Sequence, residues 1–182
     1  MPTTSKAMTV PDDDVPARKR TSLGLYLTAE QAYETWRADP ERVNVVDVRT
    51  PEEYIFVGHA EMARNVPLLF IEYEWDTDKD EPVVRPNPEF VSRVQGLFGP
   101  TDTLLVMCRS GGRSALAVNA LAKAGFDHVY NVIDGFEGDK VDDPTSAYHG
   151  KRMKNGWKNS GSPWTYECDP ALLWRATASV DR

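Results

Sequence analysis

Cysteine is scarce in this 182-residue chain, with only Cys108 and Cys168 present. One pair builds no disulfide framework, and neither cysteine belongs to a CxxC or to a Cys/His cluster at ligand spacing, which argues against zinc. His59, His128 and His149 are scattered and form no ligand pattern. No metal and no organic cofactor are expected. No stretch approaches the roughly 20 consecutive apolar residues that cross a bilayer, so no membrane association is expected. Basic residues are outnumbered 21 to 28, and the net charge of −7 is a poor basis for holding a phosphate backbone, which excludes nucleic acid as the expected partner. The opening MPTTSKAMTVPDDDVPARKR lacks the apolar core of a secretion signal, and its acids argue against a transit peptide. The expected location is the cytoplasm, or the periplasm if the start has been processed. What remains is a globular composition, 41% hydrophobic and 27% charged, which excludes wholesale disorder and fibrous repeats. The length suits one ordinary domain able to bury roughly 70% of its unfolded surface without a staple.

Residues 1–20 are polar and proline-bearing, with Asp12, Asp13 and Asp14 followed by Arg18, Lys19 and Arg20. They are expected to form a flexible tail, because they offer too little apolar surface to offset ordering entropy. Leu23, Leu25 and Leu27 alternate like a short strand. Thr28 with Gln31 forms a capping box for a helix that runs through Trp36 and ends before Pro40. Residues 43–49 form a nearly continuous apolar run, the pattern of a strand covered on both faces. Thr50, Pro51 and Glu53 supply the cap, first-turn proline and capping acid of a short helix that stops near Gly58. Residues 68–88 are expected to be a long loop with an acidic centre, packed against the domain by its aromatics. Asn87 and Pro88 open a helix closed by Gly99 and Pro100. A central strand over 103–107, a helix over 114–124 ended by Gly125, and a strand over 128–133 complete the pattern. Strands alternating with helices predict an α/β fold around a mostly parallel sheet. In such sheets the reactive site lies at the carboxyl ends of the strands, which points to Asp47 through Arg49, to Cys108 and to Asp134.

The segment TLLVMCRSGGRSALAVNALAKAG carries the chemistry. A buried strand ends at Cys108, four residues follow, and then come Arg113 and a helix. Gly111 and Gly112 permit the positive-φ geometry of a tight loop with inward N–H groups. Those donors and the helix N-terminus form a pocket for a thiolate or an anion. Arg109 and Arg113 add positive charge. Such surroundings favour thiolate over thiol, and the thiolate is the nucleophile. An inert core cysteine has no use for them.

CRSGGRS resembles the active-site loop of the rhodanese (sulfurtransferase) family. DVRTPEEYIFVGHAEMARNVP, residues 47–67, is similar to that family's upstream signature, and NVIDGFEGD to its glycine-bearing segment after the last strand. Ala60 and Met62 stand where the family usually has Ile and Gly. The resemblance implies a three-layer α/β/α domain over residues 21–138. It also implies a two-step transfer in which Cys108 takes sulfane sulfur from a small anionic donor such as thiosulfate. Cys108 then holds it as a persulfide and yields it to cyanide, a thiol or a sulfur-carrier protein. Arg109, Ser110, Gly111, Gly112, Arg113 and Ser114 would bind the donor and the persulfide through inward donors. Arg113 could instead brace the loop through an acid such as Asp47, and Asp47 and Arg49 would act in support. A rhodanese-like sulfur-relay or binding module with little small-molecule turnover is the alternative. A Cys-based phosphatase is disfavoured, because the Cys-x4-Arg ring here is one residue shorter than the phosphatase loop and suits a single sulfur better than a phosphate.

Residues 139–174 exceed a minimal rhodanese domain. They turn from acidic to basic and hold Trp157, Trp164 and Trp174, so they are expected to pack on the domain. GWKNSGSPW looks like the closing segment of some longer family members. The segment reads either as a basic rim that draws anionic donors or as a solvated basic face over aromatic packing. Residues 175–182 are expected to be a second tail. Cys168, between Glu167 and Asp169, is expected to be a spectator, and His59 a structural hydrogen-bonding residue. Oligomeric state is not legible.

Overall fold

In the computed structural model, which describes residues 9–175, the chain order is β1 (Tyr26–Leu27), α1 (Ala29–Ala38), β2 (Val43–Asp47), α2 (Pro51–Phe56), β3 (His59–Ala60), β4 (Arg64–Asn65), β5 (Leu69–Asp76), β6 (Glu81–Pro86), α3 (Phe90–Leu97), β7 (Thr103–Met107), α4 (Gly112–Lys123), β8 (Val129–Val132) and β9 (Trp164–Thr165). The two largely apolar strands, β2 and β7, lie side by side inside a five-stranded parallel sheet of order β1-β8-β7-β2-β4. Alternate side chains of a strand point to opposite faces, so a strand covered on both sides must be apolar throughout. Val46, Val48, Leu104 and Val106 pack with Val94 of α3 and Val118 and Leu121 of α4. Val43, Val45, Leu105 and Met107 pack on the other face with Ala29 and Ala32 of α1, Phe136 and Trp157. The result is the three-layer α/β/α arrangement. Its register sets Asp47 opposite Met107, bringing the carboxyl ends of β2 and β7 to one place.

Local signals start α1 and α2. Thr28 and Gln31 exchange both bonds of a capping box at α1, and Thr50 and Glu53 do the same at α2, where Pro51 occupies the first turn. No described helix is long and apolar enough to cross a membrane.

Residues 9–20 correct the expectation of a free tail. They form two 3₁₀ turns, Asp12–Asp14 and Ala17–Lys19. Val15 is buried, and Lys19 Nζ donates to both oxygens of Asp139 at 3.0 and 2.9 Å. The Val10 N–H donates to the Tyr26 carbonyl. One buried valine and a satisfied lysine suffice to dock a segment whose average composition is polar. Residues 1–8 and 176–182 of the two expected tails lie outside the described residues.

The expected loop over 68–88 is also corrected, since it is an antiparallel hairpin of β5 and β6. Phe70 turns inward beneath Arg85, whose guanidinium carbon lies 5.0 Å from its ring centroid. The next odd-numbered residues turn outward and stay exposed, Tyr73 and Trp75 among them. The expectation that the aromatics pack this segment on the domain therefore holds for Phe70 alone, and Tyr73 and Trp75 correct it.

The segment 139–174 lies against the domain. Trp157 is fully buried in the second cluster, Trp174 joins the first, and β9 pairs antiparallel with β3. Lys158 Nζ donates to the Val57 carbonyl at 2.8 Å, which latches the segment to the end of α2, and sits 4.4 Å from the Trp164 ring centroid in a cation–π contact within the segment.

Candidate active site

β7 delivers Cys108 to the carboxyl end of the sheet, and the chain must then reverse into α4 within a few residues. Gly111 makes that turn at φ +93°, and a β-carbon there would lie 2.1 Å from the Ile133 carbonyl oxygen, so both conformation and space require glycine. The turn presents the Gly111 N–H to Cys108 Sγ at 3.1 Å. Gly112 has open space around it, and its amide begins the first turn of α4, where N–H groups lack intrahelical acceptors and the helix dipole is positive.

The Ser114 hydroxyl lies 3.3 Å from Cys108 Sγ and 2.6 Å from Asn131 Oδ1. The Asn131 amide is held in one orientation, because its Nδ2 donates to the carbonyls of Lys19 and Gly111 at 2.9 and 3.1 Å. Its Oδ1 therefore accepts. The hydroxyl carries one proton. It donates to Asn131 while the sulfur is a thiol, and can rotate towards the sulfur when the sulfur is anionic. Behind the loop, the Phe136 N–H donates to the Cys108 carbonyl at 2.8 Å, and the N–H groups of Glu137 and Gly138 donate to the Arg109 carbonyl at 3.0 and 3.1 Å. Gly135 allows this approach, since a β-carbon there would lie 2.5 Å from the Cys108 carbonyl oxygen. Two loop carbonyls are thus engaged, which removes them as free acceptors beside the sulfur.

The charged residues divide into braces and rim. Arg113 grips Glu53 through both terminal nitrogens, at 2.7 and 2.6 Å. Burial pushes the Glu53 carboxyl up, but the Arg113 guanidinium and the Thr50 N–H outweigh it and hold the group below its ordinary value. Arg113 therefore braces the loop through Glu53, correcting the expectation that Asp47 plays that part. Asp47 instead pairs with Arg49, with contacts of 2.6–3.1 Å, both side chains fully buried, and Arg49 also donates to the Gly58 carbonyl at 2.7 Å. Burial alone lowers an arginine's proton affinity, and here the Asp47 charge reverses the effect. Among the described residues Arg49 Nη1 has no polar partner, and the guanidinium lies 4.3 Å over the Phe136 ring.

Arg109 is exposed, while Ser110 is buried in the turn. Arg152, from the carboxyl-terminal segment, donates to the Gly138 carbonyl at 2.8 Å. Burial and then the Arg109 charge lower its proton affinity, and the Gly138 N–H in turn donates to the Arg109 carbonyl. Asp134, the third residue at a strand end, has its oxygens occupied by the N–H groups of Ala29 at 2.6 Å and Gly156 at 3.0 Å. His59 is buried, bonded through Nδ1 to the Tyr54 carbonyl and stacked on the Tyr54 ring. Cys168 is a partly exposed free thiol with a long contact to the Tyr166 carbonyl. Among the described residues no His/Cys/Asp/Glu group is arranged to hold a metal ion.

Sequence reasoning did not find Glu53, Asn131 or Arg152 as parts of the site. Glu53 had a complete local explanation as a capping acid, and Asn131 opened the quoted segment NVIDGFEGD without any sign that its side chain reaches the loop. Arg152 belonged to a basic run whose position was unknown. A cleft of about 620 Å³ lined by Arg42, Asn44, Thr103 and others lies at the amino ends of β2 and β7, the opposite end of the sheet from Cys108.

A recessed cysteine in a glycine turn between a parallel strand and a helix, inside a three-layer domain, defines a rhodanese-type protein. The rhodanese-like domain model matches residues 28–141, and the chain belongs to that sulfurtransferase family. It is 38% identical over 91 residues to thiosulfate sulfurtransferase 16, chloroplastic, of Arabidopsis thaliana, covering 50% of this chain and 68% of the relative. A Rickettsia rickettsii protein of uncharacterised function is 30% identical over 122 residues, 67% of this chain and 82% of the other. The crystal structure of Rv0390 from M. tuberculosis superimposes with a TM-score of 0.59 at 28% identity, covering 78% of this chain and 96% of that one.

Proposed function

We propose that this protein is a sulfurtransferase that carries sulfane sulfur as a persulfide on Cys108. The observation that carries the reading is the Gly111 N–H directed at Cys108 Sγ at 3.1 Å, at the start of α4. A donor at that position stabilises negative charge on sulfur both before and after loading. In the first step the Cys108 thiolate attacks the outer sulfur of thiosulfate. A Cys108 S–S bond forms, the donor's S–S bond breaks, and sulfite leaves with the bonding pair. The three negative charges of the reactants appear as two on sulfite and one on the persulfide. In the second step a cyanide or thiolate acceptor attacks the outer persulfide sulfur, and Cys108 returns as thiolate. No base, metal or external oxidant is needed.

Arg109 and Arg152 draw the dianionic donor to the loop. Arg113 has both terminal nitrogens on Glu53 and serves as a positioning residue. That engagement also weighs against a phosphatase, whose loop arginine must be free to grip a phosphate. Two Arabidopsis relatives named as thiosulfate sulfurtransferases support the donor class.

The test is intact-mass analysis after thiosulfate treatment, followed by a thiocyanate assay with cyanide. The wild type is expected to gain one sulfur atom and lose it to cyanide, and Cys108→Ser to do neither while remaining folded. Turnover by the Cys108→Ser variant would refute the assignment.

A further inference from the structure

The β5–β6 hairpin carries its apolar side chains on the outside. Tyr73 is 102% exposed, Trp75 58%, Val84 50% and Ile71 40%. Ile71 and Val84 are cross-strand partners, as are Trp75 and Pro82, so these residues form a stripe along one face. A two-stranded hairpin in water is marginally stable at best, and this one leaves its largest side chains unpacked. Its strand edges are poor templates for a third strand, because Pro82 and Pro86 lack N–H groups and the ladder is irregular between Ile71 and Trp75. The adhesive feature is the side-chain face.

Its place and charge say what covers it. The hairpin springs from the active-site end of the sheet: the Leu68 N–H donates to the Val48 carbonyl, and the Val48 N–H to that of Met107, beside Cys108. Leu68 and Phe70 at its root pack on the cluster that contains Cys108. Residues 71–85 hold six acids against two bases. Lys79 is paired with Asp76 and Arg85 with Glu72, while Glu74, Asp78, Asp80 and Glu81 have no ion pair among the described residues. A second copy docked here would bring two hairpins of net negative charge together, so the charge selects a different, cationic partner.

We propose that the β5–β6 hairpin is the docking element for the protein that exchanges sulfur with Cys108, and that this partner presents an apolar patch ringed by lysine and arginine. The inference rests on the sulfurtransferase reading above and names its macromolecular partner class. In the exchange, a partner cysteine thiolate attacks the outer persulfide sulfur. The partner's new S–S bond replaces the Cys108 S–S bond, Cys108 leaves as thiolate, and no oxidant or reductant is consumed.

The probe is a β-hairpin peptide with leucines on one face, lysines around them and one terminal cysteine, compared with a glutamate-for-lysine counterpart. Binding is read by fluorescence anisotropy, sulfur transfer by intact mass, and free cysteine and cyanide serve as small acceptors. The wild type is expected to bind the lysine peptide at least about tenfold tighter than the glutamate peptide, with the difference shrinking as salt rises. It should also sulfurate the lysine peptide faster than free cysteine. Tyr73→Ser/Trp75→Ser should lose both advantages, and Glu74→Lys/Asp78→Lys/Asp80→Lys/Glu81→Lys should reverse the peptide preference. Both variants should keep wild-type cyanide turnover and melting temperature. Equal handling of the two peptides alongside normal cyanide turnover overturns the docking assignment and leaves the sulfurtransferase reading intact. Selective binding with no sulfur passed to any acceptor removes the sulfurtransferase reading and the proposal with it. A wild-type dimer that Tyr73→Ser/Trp75→Ser converts to monomer in sedimentation shows that a second copy covers the face, which also overturns the proposal.

Discussion

Arg113 and Glu53, sixty residues apart in sequence, meet as a two-pronged ion pair in which Nη1 donates to Oε2 and Nη2 to Oε1. The pair ties the first turn of α4 to the first turn of α2, the helices that follow β7 and β2. Glu53 also completes the capping box of α2. Glutamine serves a capping box as well as glutamate does, so Glu53→Gln separates the two roles. Breaking a fully buried ion pair from one side costs about 3–5 kcal/mol. This pair is partly solvated, with side-chain exposures of 23% and 17%, so the expected loss in urea unfolding is about 2–3 kcal/mol. Sulfur transfer should fall with it, since the freed guanidinium no longer positions the loop.

The same pair predicts an acid limb of stability. Burial pushes the Glu53 carboxyl up, yet its interaction with Arg113 leaves it below the ordinary value in the folded protein. A carboxyl depressed on folding contributes stability that is present above its unfolded value of about 4.3 and is lost as pH falls through the folded value. Urea midpoints measured from neutral pH downwards should therefore drop below about pH 4.3 more steeply for the wild type than for Glu53→Gln. Parallel curves would show that the pair carries no such linkage.

Two adjacent glycines should respond differently to alanine. At Gly111 a β-carbon meets the Ile133 carbonyl and the positive φ disfavours any L side chain, whereas Gly112 has nothing within 4 Å. Gly111→Ala is expected to cost about 1–3 kcal/mol in strain, with further loss from the steric conflict, and to abolish persulfide formation as the N–H turns off the sulfur. Gly112→Ala should change stability by less than about 1 kcal/mol and retain most transfer. Thermal melts and thiosulfate loading of the two variants check this directly.

Asn131 links three segments, accepting from Ser114 and donating to the carbonyls of Gly111 and Lys19. Asn131→Leu preserves volume but strands these buried groups, and is expected to cost about 2–4 kcal/mol. It should also loosen residues 9–20, seen as faster amide exchange around Lys19, because that segment loses the bond from the Asn131 amide to the Lys19 carbonyl. Unchanged exchange there would show that the Lys19–Asp139 pair alone holds the segment.

The parts legible in sequence were those whose physics is local. Thr28 with Gln31 and Thr50 with Glu53 announce helix starts because a cap needs an acceptor and a partner three residues on. The run before Cys108 announces a strand covered on both faces, and the glycines after it announce a turn. The hairpin was not legible as strands, because its dense run of acids read as a loop, and the aromatics expected to pack that loop on the domain face outward instead. Residues 9–20 misled because their composition is polar, while the buried Val15 and the Lys19–Asp139 pair, with bonds linking Val10 and Asp12 to Tyr26, hold them to the domain.

The amino-acid order by itself determined the α/β layout and the cysteine–glycine–arginine loop, since strand, cap and turn preferences act over a few residues. Only the tertiary structure decided that Arg113 answers Glu53 rather than Asp47, that Asn131 holds Ser114, and that Arg152 reaches the Gly138 carbonyl behind the loop. Those pairings depend on where distant segments come to rest around the sheet, and charge or hydrogen-bonding capacity offers many partners until packing leaves one within reach.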